Sequence, residues 1–230
     1  ATAIVALGVS ATSCDSKKSA NLKTSVDSAS YAIGVANGSM FKQNLDGMPG
    51  GPANVDALLA GFEAAMKGDS TGLKMTPEQA QTYLNTYFVE AQARDANKTK
   101  EEGEKFLAEN KAKEGVITTE SGLQYKVETE GTGAKPTAED QVKVHYTGTL
   151  LDGTKFDSSV DRGEPAVFGV GQVIKGWTEI LQIMPVGSKY VIWVPSDLAY
   201  GEHGTRGIKP NSVLKFEVEL LDIVKDDQKK

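Results

Sequence analysis

The chain has 230 residues, a hydrophobic content of 39%, a charged content of 24% and a formal net charge of −6. This length exceeds that of the usual single domain, so two domains are expected, and the composition is that of a globular protein. The acidic balance argues against a nucleic-acid partner, while one cysteine and two histidines exclude a disulfide framework and a metal site built from several Cys or His.

The N-terminal segment differs from ordinary domain sequence. Residues 1–13, ATAIVALGVSATS, begin with an apolar run too short to span a bilayer. The run is similar to the hydrophobic part of a signal peptide, and the small residues before Cys14 resemble a bacterial lipobox. We expect a signal-peptide remnant at 1–13, a lipid anchor on Cys14 and a flexible tether over 14–26, which is rich in Ser, Lys, Asn and Thr. The alternative is a plain secreted protein with an incidental cysteine.

A lipid on Cys14 has a consequence for localisation. It would make this a lipoprotein of the bacterial cell envelope that faces the periplasm, and we expect it in the outer membrane.

The first predicted helix covers residues 27–45, with Asp27 or Ser28 as its N-cap. Gly34 and Gly38 lie four residues apart and therefore on one side of this helix. Because each Gly costs a soluble helix about 1 kcal/mol relative to Ala, the pair predicts that another backbone packs closely there.

A second helix is predicted for residues 55–67. Its apolar stripe consists of Leu58, Leu59, Phe62 and Met66. Two short helices cannot easily build a core of their own, so pairing of two chains through residues 27–91 is expected to cover their apolar faces. The alternative is that they fold back onto the C-terminal sheet in a monomer.

The third predicted helix is long. Residues 76–79, TPEQ, form a capping box with Pro in the first turn, and one Gly, Gly103, is the only interruption before Glu114. The helix could reach about 57 Å. Residues 92–105 are polar on nearly all sides, which predicts a helix that bridges two domains through solvent, with Gly103 as the place for a bend.

In the C-terminal half, apolar and polar residues alternate as they do in β-strands. The alternating sets are Leu123, Tyr125 and Val127; Val142, Val144 and Tyr146; Tyr190, Ile192 and Val194; and Leu214, Phe216, Val218 and Leu220. The helical stretch 175–184 is the one candidate to cover such a sheet. We therefore predict an α+β fold, in which a curved antiparallel sheet wraps a short helix, preceded by an all-α domain.

Residues 142–177 concentrate the functional motifs, yet they contain no nucleophile with a base, metal cluster or phosphate loop. With the segments downstream they supply VHYTGTL, DGTKFDSS, VIKGW, PVGSK, AYG and FEVELLDI. These blocks, in this order within residues 122–224, closely resemble the FKBP-type peptidyl-prolyl cis-trans isomerases. The resemblance implies an isomerase domain at 116–230 with the FKBP-like fold.

The N-terminal region extends this resemblance. The three helices, ending in FLAENKAKEGVITTESGLQYKV, are similar to the dimerisation domain of the macrophage infectivity potentiator type of these isomerases. The resemblance implies a helical dimerisation domain with a long linking helix over residues 27–115, and a homodimer joined through 27–91.

The resemblance also implies the site residues. The catalytic ones are Tyr146, Phe156, Asp157 and Tyr200. The substrate-binding ones are Arg162, Phe168, Val173, Ile174, Trp177, Ile208 and Phe216. Trp177 would form the pocket floor, and the Ile174 N–H and the Tyr200 hydroxyl would hold substrate carbonyls. For Asp157, a turn-capping role or an ion pair with Arg162 is the structural alternative.

The function implied is prolyl isomerisation that assists the folding of exported proteins, without a cofactor or a metal. Unfolded or proline-containing polypeptides would be the substrates, and macrolides are expected as inhibitors. The alternative is a non-catalytic peptide-binding module or a holdase chaperone.

Overall fold

The computed structural model describes residues 20–68 and 71–224 of the chain. By its internal contacts the chain divides into two compact units, Ala1–Lys74 and Met75–Lys230. The predicted signal remnant and Cys14 lie outside the described residues. Within the described ranges, no helix is both long enough and apolar enough to cross a membrane.

The described part of the first unit contains two helices, α1 (Ser25–Leu45) and α2 (Val55–Met66). The N-cap of α1 is Thr24, so the predicted cap at Asp27 or Ser28 was wrong by three or four residues. The Thr24 hydroxyl accepts the Asp27 N–H at 3.1 Å, and the Asp27 carboxylate accepts the Thr24 N–H at 2.8 Å. Asp27 therefore belongs to the first turn, where it completes a capping box.

Neither helix of this unit contains a buried residue. The exposed large apolar side chains are Val26, Tyr31, Ile33, Val35, Met40 and Phe41 on α1, and Val55, Leu58, Leu59, Phe62 and Met66 on α2. Apart from the adjoining residues and turns of α1 itself, no atom of the described residues lies within 4 Å of the place that a Cβ would take on Gly34 or Gly38. The close backbone contact predicted at these glycines is thus not made by any residue that the structure describes.

The second unit begins with the long helix α3 (Pro77–Asn110), which starts with the predicted capping box between Thr76 and Gln79. Its 34 residues span about 51 Å. The helix is continuous through Gly103 and ends at Asn110, four residues before the predicted end at Glu114. The chain then reaches Gly115, whose positive φ of 78° turns it toward the sheet.

The described residues after α3 form seven antiparallel strands: β1 (Val116–Thr118), β2 (Gln124–Thr129), β3 (Gln141–Leu150), β4 (Lys155–Ser158), β5 (Ala166–Gly169), β6 (Lys189–Val194) and β7 (Leu214–Val224). Their spatial order in the sheet is β1-β2-β6-β7-β3-β4, and β5 also pairs with β3. Tyr146 on β3 pairs with Val218 on β7, and both are buried.

Two short helices accompany the sheet, α4 (Ser159–Arg162) and α5 (Lys175–Ile183). Helix α5 buries Trp177, Ile180 and Leu181 in the core of the second unit. It approaches β6 closely, because a Cβ on Gly176 would lie 2.5 Å from Val194 Cγ1. The predicted α+β fold, a sheet around one short helix, is confirmed.

Candidate active site

A pocket of about 670 Å³ opens beside the first turn of α5. Its lining residues are Tyr146, Phe156, Asp157, Phe168, Gln172, Val173, Ile174, Trp177, Tyr200, Thr205, Arg206, Ile208 and Phe216. Every predicted site residue except Arg162 lies in this lining. Residues from β3, β4, β5, α5, β7 and the loop after β6 thus meet at one place, although up to 70 positions separate them in the sequence.

Trp177 lies at the centre of an aromatic cluster. Its ring centroid is 5.2 Å from that of Tyr146, 5.3 Å from that of Phe216 and 5.8 Å from that of Phe168, and each pair meets edge to face. The side chain is 4% exposed, and its Nε1–H has no hydrogen-bond partner among the described residues. The floor of the pocket is therefore apolar, with a single unpaired donor.

The glycine at 148 allows the side wall to form. Phe156 and Phe216 meet edge to face at 5.5 Å between ring centroids. A Cβ on Gly148 would lie 2.6 Å from Phe156 Cζ and 2.9 Å from Phe216 Cε1. Any larger residue at position 148 would therefore have to displace these two rings.

The rim carries one connected set of polar side chains. The Tyr146 hydroxyl donates to Asp157 Oδ2, and Arg162 donates from Nη1 to Asp157 Oδ1 and from Nη2 to the Tyr146 oxygen at 3.1 Å. Helix α4 places Arg162 there, since Ser158 caps its N-terminus and Gly163 ends it. The ion pair foreseen as the alternative for Asp157 is present, and the carboxylate still lines the pocket.

Two donors at the pocket are available to a ligand. Ile174 is the N-cap of α5, and no side chain caps this helix end. Within the described residues, neither the Ile174 N–H nor the Tyr200 hydroxyl donates to a protein acceptor. Both groups can therefore donate to a bound carbonyl oxygen.

Comparison with known proteins agrees with this geometry. A model of the FKBP-type peptidyl-prolyl cis-trans isomerases matches residues 132–221, and a model of the domain amino-terminal to these isomerases matches residues 26–127. The FKBP-type isomerase FkpA of Aeromonas hydrophila is 50% identical over 217 residues, which cover 90% of this chain and 79% of that protein. The chain belongs to the FKBP-type peptidyl-prolyl cis-trans isomerase family.

Further relatives of this FKBP-type chain support the assignment. The outer membrane protein MIP of Legionella longbeachae is 42% identical over 97% of this chain and 96% of that protein. The crystal structure of FkpA from Escherichia coli matches with a TM-score of 0.69 and 34% identity, over 87% of this chain and 97% of that one. The predicted family, fold and enzyme class are therefore confirmed.

The charge state of the FKBP-type rim follows from its contacts. Partial burial acts to raise the pKa of Asp157, but the hydrogen bonds from Tyr146 and Arg162 outweigh it and hold that pKa below its ordinary value of 3.8. Burial, followed by the bond to Asp157, raises the pKa of Tyr146 above its ordinary value of 10.0. At neutral pH the rim thus holds a carboxylate and a neutral phenol.

The FKBP-type pocket also contains residues that the sequence did not predict. Thr205 and Arg206 line it from the loop after β6, and Gln172 lines it from the end of a short 3-10 helix (Val170–Gln172). Such short segments have no apolar period that would indicate which side chains face the pocket. Arg162 is absent from the lining and donates hydrogen bonds to Asp157 and Tyr146, so its predicted contact with substrate stays a prediction.

Proposed function

We propose that this isomerase assists the folding of exported proteins by binding an X-Pro bond in the aromatic pocket and stabilising its twisted transition state. The observation that supports it is the meeting of the apolar floor at Trp177 with the Asp157 carboxylate and two free donors. Rotation about an X-Pro bond faces a barrier of about 18–20 kcal/mol, since amide resonance is lost when the bond twists. The task is therefore to favour the twisted form over the planar one.

The apolar floor contributes through polarity. Resonance separates charge in the planar imide, whereas the twisted imide is less polar. A pocket that replaces water by the rings of Trp177, Phe216 and Tyr146 stabilises the planar form less than water does. On entering the pocket, the twisted form loses less stabilisation by water than the planar form does. This difference in binding lowers the barrier to rotation.

The polar groups would orient the substrate and stabilise its carbonyl. The Ile174 N–H and the Tyr200 hydroxyl would each hold a substrate carbonyl oxygen, which fixes the peptide on both sides of the reacting bond. The Asp157 carboxylate would lie beside the reacting carbonyl. When donation from nitrogen ceases, the carbonyl carbon becomes more positive, and a fixed negative charge next to it is stabilising.

This mechanism transfers no proton, so the isomerisation rate is expected to be independent of pH between about 5 and about 9. Asp157, whose pKa lies below 3.8, stays ionised in this range, and Tyr146, whose pKa lies above 10.0, stays neutral. The exchange rate of an X-Pro peptide measured by NMR across this range, with and without the protein, tests it. A bell-shaped dependence of the rate on pH would contradict this mechanism and indicate acid–base catalysis. No acceleration at any pH would leave only peptide binding or holdase activity.

The domain roles belong to this proposal. Residues 27–115 would form the dimerisation domain and long helix, and residues 116–230 the isomerase domain. The exposed apolar faces of α1 and α2 and the open glycines Gly34 and Gly38 support pairing of two chains through residues 27–91. Two pockets on one dimer could then hold a single unfolded chain.

Attachment of Cys14 to the membrane is a further part of the proposal. The apolar run before Cys14 and the polar segment after it support a lipid anchor in the cell envelope. We expect mass spectrometry of the native protein to find an N-terminus at Cys14 with the mass of a diacylglycerol group. An unmodified N-terminus at any other residue would leave a secreted or periplasmic protein without an anchor.

A further inference from the structure

The second half of α3, residues 92–110, is not a solvent-exposed bridge. The residues on one side of it are buried or half-buried, and these recur at helical spacing: Ala96, Thr99, Gly103, Phe106, Leu107 and Asn110. Because most residues of this part of the helix are polar, its sequence has no apolar periodicity that would have predicted the buried stripe. The predicted helix that bridges domains through solvent is therefore wrong for this half of α3.

Three contacts join this stripe to the isomerase region. The Asn211 amide donates from Nδ2 to the Ala96 carbonyl at 3.2 Å. Gly103 faces Val213 so closely that a Cβ on it would lie 2.8 Å from Val213 Cγ2. At the end of the helix, the buried Asn110 donates to Gln124 Oε1 at 2.9 Å, and Gln124 donates back to the Leu107 carbonyl at 2.8 Å.

Asn211 also closes the loop that covers the pocket. Its backbone N–H donates to the Gly201 carbonyl at 2.9 Å, which joins the two ends of the loop of residues 201–211. Within this loop Thr205 and Ile208 exchange two backbone hydrogen bonds of 2.9 Å. Thr205, Arg206 and Ile208 all line the pocket.

The backbone of Asn211 fits this double role. It has a φ of 61°, and it is the one residue other than glycine with a positive φ in the part of the chain that the structure describes. Asparagine tolerates this conformation better than most residues do, and unlike glycine it carries a side-chain donor. Unfavourable backbone conformations of this kind are kept where the surrounding structure fixes them, often near functional sites. At Asn211 the hydrogen bonds to the helix and to the loop can hold the backbone in this conformation.

We propose that the second half of α3 is part of the active-site architecture, with Asn211 and Gly103 as positioning residues that hold the pocket-covering loop in place for substrate. Substrate touches the loop, and the loop is held by the helix. The long helix α3 thereby contributes to peptide affinity without contacting the peptide. This inference rests on the proposed use of the pocket for proline peptides.

The test uses the full chain and the variant Asn211→Gly. Glycine keeps the positive φ and the backbone bond to Gly201, so only the side-chain bond to Ala96 is lost. We expect KM for an X-Pro peptide, from NMR exchange analysis, to rise about three- to tenfold while kcat changes less than about twofold, because the groups around the reacting bond stay in place. Lys105→Ala, an exposed change on the same helix, should alter neither value.

A paired set of variants tests Gly103. Gly103→Ala should raise KM in the same way, since its Cβ displaces Val213. Adding Val213→Ala removes the clashing methyl group and should lower KM again, although this second change opens a cavity and lowers stability. If Gly103 and Val213 only stabilised the fold, the double variant would have both a higher KM and a lower stability than Gly103→Ala. Recovery of KM despite lower stability therefore indicates a positioning role.

A second readout does not depend on catalysis. In Asn211→Gly, hydrogen exchange at the amides of Thr205 and Ile208 should be faster than in the wild type, while exchange within β3 and β7 should be unchanged. If loop exchange is faster in Asn211→Gly but the wild type does not catalyse isomerisation, the proposed function is wrong while the positioning role of Asn211 stands. Unchanged loop exchange, or a loss of kcat at constant KM, would overturn the positioning role.

Discussion

The variant Asp157→Ala is expected to isomerise an X-Pro peptide about ten- to a hundredfold more slowly than the wild type. A loss of this size corresponds to about 1.4–2.8 kcal/mol of transition-state stabilisation, which is at or below the cost of removing one fixed electrostatic group from an active site. The loss should fall on kcat more than on KM, because the carboxylate would act on charge that develops in the twisted state. NMR exchange spectroscopy measures both values.

The fold of this variant should survive. Arg162 is about half exposed, so water can solvate the guanidinium that loses its partner, and a solvent-exposed ion pair contributes little to stability. Asp161→Ala is the matched control, because it removes a neighbouring carboxylate that pairs with Lys155 at 2.6 Å and does not line the pocket. If Asp157→Ala and Asp161→Ala were equally active, the assigned role of Asp157 would be wrong.

The second large effect is expected on association. The full chain should be a dimer, and a fragment that begins at Val116 should be a monomer, because it lacks the exposed apolar faces of α1 and α2. The fragment retains every pocket residue and should still isomerise short peptides. It should assist the refolding of an unfolded protein less well, since two pockets no longer act on one chain. Sedimentation equilibrium and a proline-limited refolding assay measure these properties.

A second fragment separates the two roles of the helical region. A fragment that begins at Gln92 keeps the docked half of α3 and lacks the surface proposed for pairing. It should be a monomer that binds short peptides as tightly as the full chain does, whereas the fragment from Val116 should bind them more weakly. A concentration-independent monomer mass for the full chain would contradict the dimer.

The sequence by itself determined the elements and most of the pocket. Alternation of apolar residues located the four longest strands, β2, β3, β6 and β7, and the capping box at Thr76 marked the start of α3 to the residue. These signals are local, because they depend on the period of a strand or on hydrogen bonds within one helical turn. The same local rule, applied to Thr24 and Asp27, would have placed the start of α1 correctly.

Only the tertiary structure decided which polar residues are buried and what they contact. The polar stretch after Gln92 docks one side on Asn211, Val213 and Gln124, although its composition indicated solvent on all sides. Gly103, at which the sequence predicted a bend, lets Val213 approach the helix closely. The contacts with Asn211 and Val213 join residues more than 100 positions apart, one through a single hydrogen bond and the other through a missing Cβ, whereas those with Gln124 span 14 and 17 positions. They leave no periodic pattern in the sequence, because their geometry exists only once the helix and the loop have been brought together.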